Sequence, residues 1–145
     1  MSTLILGINS VYHESSACII KDGKLIAAVE EERFTRIRHA KIPQLDNPDE
    51  LPIHSIDYCL KAARVKLGAV DYIGYSIRPE KRLKNIGADT YFVPGEWSTK
   101  KGEELLYSKI KSIPNKLSRL AGENISRKFY WIGHHESHAA SSFFT

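Results

Sequence analysis

LILGINSVYHESSACIIKDGKLIAAVE, residues Leu4–Glu30, holds three apolar runs and one clear turn signal. Leu4 to Ile8 is almost continuously apolar, the pattern of a strand buried on both faces. Ser16 to Ile20 reads as a second short strand. Asp22-Gly23 supplies a two-residue hairpin whose backbone needs positive φ. Lys24 to Glu30 is a third strand. The chain therefore opens with a three-strand meander.

Beyond it lies a polar loop, Arg36 to Leu51, marked by Pro43, Pro48 and the turn-forming DNPDE. Pro52 fits the first turn of a helix. Ile53, Ile56, Leu60 and Ala63 then recur at helical spacing as far as Gly68, which reads as a stop. Val70 to Ile77 is a strand. Pro79 to Pro94 reads as irregular, with a short helical turn. Glu103 to Leu120 carries a weaker helical pattern that Pro114 is expected to interrupt. Phe129 to Ile132 is a last strand, and a helix begins near Glu136. The order is β-β-β-α-β-α-β-α, a mixed-sheet α/β pattern. It is the order of a ribonuclease-H-like fold and of one lobe of the actin-like ATPases. That analogy concerns the fold alone and assigns no chemistry.

At 145 residues, 42% hydrophobic and 26% charged, the sequence describes one globular domain. The net charge of +4, from 21 Lys and Arg against 17 Asp and Glu, is mild. It describes a solvated surface and is compatible with an anionic ligand such as a nucleotide phosphate. A nucleic-acid partner is not expected. Cys18 and Cys59 form no CxxC pair and read as two buried free thiols of a reducing compartment. The N-terminus lacks the basic segment and cleavage site of a signal peptide. No apolar stretch approaches the ~20 residues of a membrane span. A cytoplasmic protein without a membrane partner is expected.

Two stretches carry candidate chemistry. In "GHHESHAASSFFT", Gly133–Thr145, His134 and His138 stand four residues apart at a helix start. Residues at i and i+4 share a helical face, so the two imidazoles can grip one divalent ion. Two histidines do not complete a site; a third ligand must come from elsewhere in the fold. His135 and Glu136 project away from the shared face. The alternative is a helix start whose imidazoles bond free backbone groups. The position favours a ligand, because open α/β sheets gather ligands at the carboxyl ends of their strands.

The second stretch is "GINSVYHESSA", Gly7–Ala17. Gly7 permits close backbone approach. Asn9, Ser10, Ser15 and Ser16 offer neutral donors in a tight turn that can cradle phosphate with backbone N–H groups. His13 beside Glu14 is a pair able to act as a general base on a hydroxyl. The alternative is an ordinary polar hairpin tip. No GxxxxGK[ST] is present, so this is not a P-loop. Asn9 stands where a ribonuclease-type nuclease would hold a carboxylate, which argues against two-metal phosphodiester cleavage.

"LGINSVYHESSACIIKDGKLIAAVEEERFTRIRH", "DNPDELP" and "HHESHAASSFF", in this order, closely resemble the N-terminus of the NodU/CmcH family of O-carbamoyltransferases. The resemblance covers nearly the whole chain and is weakest over residues 81–128. It implies the first lobe of an actin-like domain similar to the tRNA threonylcarbamoyl-transfer ATPase. It implies ATP and carbamoyl phosphate as co-substrates, a carbamoyl-adenylate intermediate, and the hydroxyl of a small sugar- or antibiotic-like molecule as acceptor. By the same match His134 and His138 hold a divalent metal, iron first, with zinc, manganese or magnesium as alternatives, and a later aspartate completes the set. His13 falls at the acceptor hydroxyl. Glu14 stands where many members have aspartate, a longer reach for the same charge. Gly7, Asn9, Ser15 and Ser16 are expected to bind nucleotide from the reading of the first turn, not from this match. The EEERF stretch, Glu30 to Phe34, also matches; read from its residues it is a charged strand end with a packed Phe34. Arg36, Arg38 and His39 suit either an anionic site or a solvated loop.

Members of that family run to several hundred residues. Residues 1–145 are therefore expected to be a first lobe, inactive alone and prone to self-association through an apolar helix face. Two further readings remain: a relative that delivers carbamoyl groups to tRNA, and a non-enzymatic module that binds metal or nucleotide.

Overall fold

The computed structural model describes residues 2–11, 15–37, 51–84 and 99–143. The meander forms as the sequence predicts: β1 (Leu4–Asn9), β2 (Ser16–Lys21) and β3 (Lys24–Glu30). Asp22 and Gly23 both take positive φ, 51° and 76°, so the β2–β3 turn is the expected type. The Asp22 carboxylate accepts from the Thr3 amide at 2.7 Å and the Ser2 hydroxyl at 2.8 Å. Those bonds hold its pKa below the ordinary carboxylate range.

The remaining elements are α1 (Glu32–Thr35), α2 (Ile53–Ala63), β4 (Tyr72–Tyr75), α3 (Pro79–Lys84), α4 (Lys100–Ala121), β5 (Phe129–Trp131) and α5 (His134–Phe143). Short 3-10 turns at Leu67–Ala69 and Ser126–Lys128 lead into β4 and β5. Among the described residues the sheet has five strands in the order β3-β2-β1-β4-β5. β1, β2 and β3 are antiparallel, while β1, β4 and β5 run parallel. The fold is thus mixed α/β.

One face of the sheet carries the core. Leu6, Ile8, Ile19, Ile73 and Tyr75 pack there with Ile56 and Cys59 of α2 and with Ile110, Ile113 and Leu117 of α4. Among the described residues the other face lies open. β1 is accordingly not buried on both faces; its residues alternate between buried and half-buried. Gly7, Cys18 and Gly74 floor an open trough of about 870 Å³ on that side, with Ser137 and Ala140 on one wall and Arg33 at the far end. A run of apolar residues cannot by itself distinguish two covered faces from one covered face and one apolar trough.

Several boundaries differ from the sequence reading, each for a local reason. Helix α2 stops at Arg64 and not at Gly68. Arg64 takes the left-handed conformation (φ 56°), and its amide bonds back to Leu60 and Lys61. Helix α4 starts at Lys100, where the Thr99 hydroxyl accepts from the Gly102 amide at 3.1 Å. It then runs unbroken through Pro114. The apolar stripe Leu106, Ile110, Ile113 and Leu117 is fully buried and outweighs the single backbone bond that proline removes. Helix α5 starts at His134, two residues before the expected Glu136. The residues between β1 and β2 are 10–15, a six-residue connection and not a tight turn. The thiols are both free, but only Cys59 is fully buried. Burial pushes Cys59 up to about 11, with Cys18 adding to the shift. Cys18 faces the trough, on the side of the sheet opposite the core.

Candidate functional site

The carboxyl ends of the parallel strands β1, β4 and β5 come together at one edge of the sheet, and α5 starts there. Two side-chain links join β1 to the end of β4. On the open face Ser76 Oγ donates to Asn9 Oδ1 at 2.5 Å. On the core face the Tyr75 hydroxyl donates to the Ser10 carbonyl at 2.8 Å and lies 3.1 Å from the Ser10 hydroxyl. A third contact joins β4 to α5, from Ser137 Oγ to the Ser76 carbonyl at 3.4 Å. Asn9, Ser76 and Ser137 thus form a polar line from the first connection to the histidine helix.

Helix α5 begins on a half capping box. The Glu136 carboxylate folds back and accepts from the Gly133 amide at 2.9 Å. A Cβ on Gly133 would stand 2.7 Å from that carboxylate oxygen, so glycine makes room for the fold-back. Arg78 braces the same corner. It donates to the Trp131 carbonyl at 3.0 Å and lies 3.6 Å from Glu136. Glu136 is therefore a helix cap, pointing away from the histidine face as the spacing predicts.

His134 and His138 do share a face. Their Nε2 atoms are 3.2 Å apart and their rings 4.5 Å apart, edge to face. Two nitrogens each about 2.0–2.1 Å from one ion stand roughly 2.8–3.4 Å apart at right-angled or tetrahedral positions. The pair fits two neighbouring coordination positions of one divalent ion. The same distance suits a ring-to-ring N–H···N hydrogen bond. Among the described residues no third His, Cys, Asp or Glu joins them. His135 lies off this face, its ring 5.7 Å from that of His134 and tilted 57° to it.

His13 and Glu14 lie outside the described residues, as do Arg38 and His39. Asn9 and Ser16 are register partners that close the base of the first connection. Ser15 is fully buried, and its hydroxyl has no hydrogen-bond partner among the described residues. A buried hydroxyl left in that state is costly, so the chemistry of this position favours a polar group beside it. Gly7 lies in mid-strand opposite Cys18. A Cβ there would meet Cys18 Sγ at 2.7 Å, so any larger residue would have to displace that sulfur.

Sequence reading assigned the EEERF stretch no chemistry, and the structure gives one of its residues a distinct role. Glu31 is 2% exposed. Its carboxylate accepts from the His54 amide at 3.1 Å, the Ser55 amide at 2.8 Å and the His54 ring at 2.5 Å. Burial pushes its pKa up, but the bonds from Ser55 and His54 outweigh that and hold it below the usual range. Phe34 stacks on the His54 ring at 6.1 Å and leans on Tyr58 at 5.9 Å. A glutamate 23 positions upstream of the His54 amide that it accepts from carries no local capping signal, so spacing alone does not find it.

The carbamoyltransferase N-terminus family matches residues 4–145. The chain is similar to an uncharacterized Synechocystis protein, sll1178, 34% identical over 98% of this chain and 23% of that protein. It is similar to the nodulation protein NolNO of Sinorhizobium fredii, 43% identical over 46% of this chain and 9% of that protein. An uncharacterized 19.2 kDa protein from the syrM 5′ region of Rhizobium etli is 46% identical over 46% of this chain and 34% of its own length. The chain thus spans between a tenth and a third of these relatives. With the first meander, the parallel strands and the histidine helix all inside the matched span, the chain belongs to the carbamoyltransferase N-terminus family.

Proposed function

We propose that this chain is the nucleotide-handling first lobe of an ATP-dependent O-carbamoyltransferase, a ribonuclease-H-like, actin-like lobe acting within a longer protein. One observation carries the reading. In a chain of this family, Asn9 and Ser10, Ser76, and the paired His134 and His138 converge at the carboxyl ends of three parallel strands. Ligands of open α/β sheets collect there.

In this reading ATP, carbamoyl phosphate and one water give carbamoyl-adenylate, pyrophosphate and orthophosphate. The acceptor hydroxyl then attacks the carbamoyl carbon, and AMP leaves. Backbone amides from Asn9 to Ser16 cradle phosphate oxygens, with the Ser15 and Ser16 hydroxyls as further donors. His13 takes the proton of the acceptor hydroxyl, with Glu14 orienting it. His134 and His138 hold a divalent ion, iron by resemblance, with a carboxylate from outside residues 1–145. The ion supplies positive charge that neutralises phosphate oxygens.

The test is pyrophosphate release by a protein of the relatives' length that carries this chain. Pyrophosphate formed from ATP only when carbamoyl phosphate is present, with no acceptor added, supports the adenylation step. ATP left intact by a protein that still binds metal through His134 and His138 would favour a metal-binding module over an enzyme. Residues 1–145 alone are expected to transfer nothing.

A further inference from the structure

Tyr75 closes β4 directly opposite Ile8 of β1, and its ring lies wholly in the core against Phe129 and Trp131. A phenylalanine would fill the same space. The hydroxyl does something the core does not need: it reaches across to Ser10, donating to the carbonyl at 2.8 Å and meeting the hydroxyl at 3.1 Å. Burial raises its pKa far above the ordinary range, so it remains a donor throughout the neutral region. Immediately after Ser10, Val11 is 2% exposed and holds φ at 76°. A β-branched residue enters that region only where its surroundings over-determine it, and such outliers concentrate at ligand-handling turns. From the other face, Ser76 ties Asn9 to the end of β4 at 2.5 Å. The exit of β1 is thus clamped from both sides of the sheet at the point where the backbone turns left-handed.

We propose that Tyr75 is a positioning residue for the β1–β2 connection. Its hydroxyl fixes Ser10, and through Ser10 the left-handed Val11, so that the amides leaving β1 are set in advance to receive phosphate oxygens. The clamp is specific to this connection. The β2–β3 hairpin at the opposite end of the meander reaches its positive φ with Asp22 and Gly23, residues that tolerate it without a buried tie. This inference rests on the reading that the connection handles nucleotide phosphate.

Tyr75→Phe in a protein of the relatives' length tests it, because only one oxygen is removed. The expected result is a roughly tenfold rise in KM for ATP in the pyrophosphate assay, with kcat and metal content changed far less. Ser10→Ala removes the hydroxyl contact but keeps the carbonyl acceptor. It should have a smaller effect and add nothing when combined with Tyr75→Phe. Amide hydrogen exchange at residues 10, 11, 15 and 16 of the 145-residue chain should quicken in Tyr75→Phe while exchange in α4 stays put. An unchanged KM for ATP alongside quickened exchange would reduce the clamp to a purely structural tie and overturn the proposal. Unchanged exchange would overturn it at the level of geometry. A wild-type protein that makes no pyrophosphate would sink the carbamoyltransferase reading itself, an outcome that the exchange measurement keeps separate from the clamp.

Discussion

Helices α2 and α5 both start under a glutamate, and the two glutamates work in opposite ways. At α5 the cap is local. Glu136 sits in the first turn and bonds back to Gly133, three residues earlier, with its side chain 57% exposed. At α2 the cap comes from another element. Glu31 follows β3 and reaches across to His54 and Ser55 from a fully buried position. The α2 accounting is complete: the amides of Ile53 and Ile56 bond to Leu51 and Pro52, each at 2.9 Å, and those of His54 and Ser55 to Glu31. A carboxylate at a helix N-terminus also meets the positive end of the macrodipole. The difference separates a helix start built for stability from one built around a pair of side chains. At α2 the buried charge pins strand to helix. At α5 a cheap exposed cap sets the helix in place and leaves the His134–His138 face open.

Removing each glutamate measures that contrast. Glu31→Ala should cost the most, about 3 kcal/mol, because two buried amides lose a charged acceptor. Chemical denaturation of the 145-residue chain reads it directly, and a loss below about 1 kcal/mol would break the comparison. Acid should dissect the same contact. Because the folded pKa of Glu31 lies below its ordinary 4.5, its contribution is fully present above that value. It is lost as pH falls through the lower folded value. Melting curves of the wild type should therefore drop more steeply below about pH 4.5 than those of Glu31→Gln, which has no proton to take up there.

Smaller effects should follow from the other variants at the two helix starts. His54→Ala keeps the backbone bond to Glu31 but loses the ring bond and the stacking on Phe34, for about 1 kcal/mol. Glu136→Ala should cost about 0.5–1 kcal/mol, the range of an exposed cap. Its 3.6 Å pairing with Arg78 adds little at that exposure. His134→Ala and His138→Ala should change stability least, within about 0.5 kcal/mol. Each should nevertheless weaken divalent-metal binding at least ~10-fold, as read by metal titration followed by elemental analysis. Stability loss from the histidine variants matching that of Glu136→Ala, with metal binding intact, would make α5 an ordinary capped helix.

Local signals were readable wherever the physics was local. Asp22-Gly23 named its turn because few residue pairs accept positive φ twice. His134 and His138 named their shared face because helical spacing is fixed at 3.6 residues per turn. Glu136 was read correctly as pointing elsewhere. Pro114 misled because a proline's cost is intrinsic, whereas the compensation comes from Leu106, Ile110, Ile113 and Leu117 packed against other elements. Beside Gly7 the structure places Cys18 of the neighbouring strand, a contact that spacing along the chain does not reveal.

By itself the sequence determined the meander, the alternation of strand and helix that follows, and the histidine spacing, because each depends on residues a few positions apart. The tertiary structure alone decided which face of the sheet is covered, which carboxylate caps α2, and how Tyr75 and Ser76 clamp the exit of β1. Those contacts join residues 23 to 67 positions apart. A buried donor accepts whichever partner the packed chain brings within reach, and no spacing along the sequence encodes that choice.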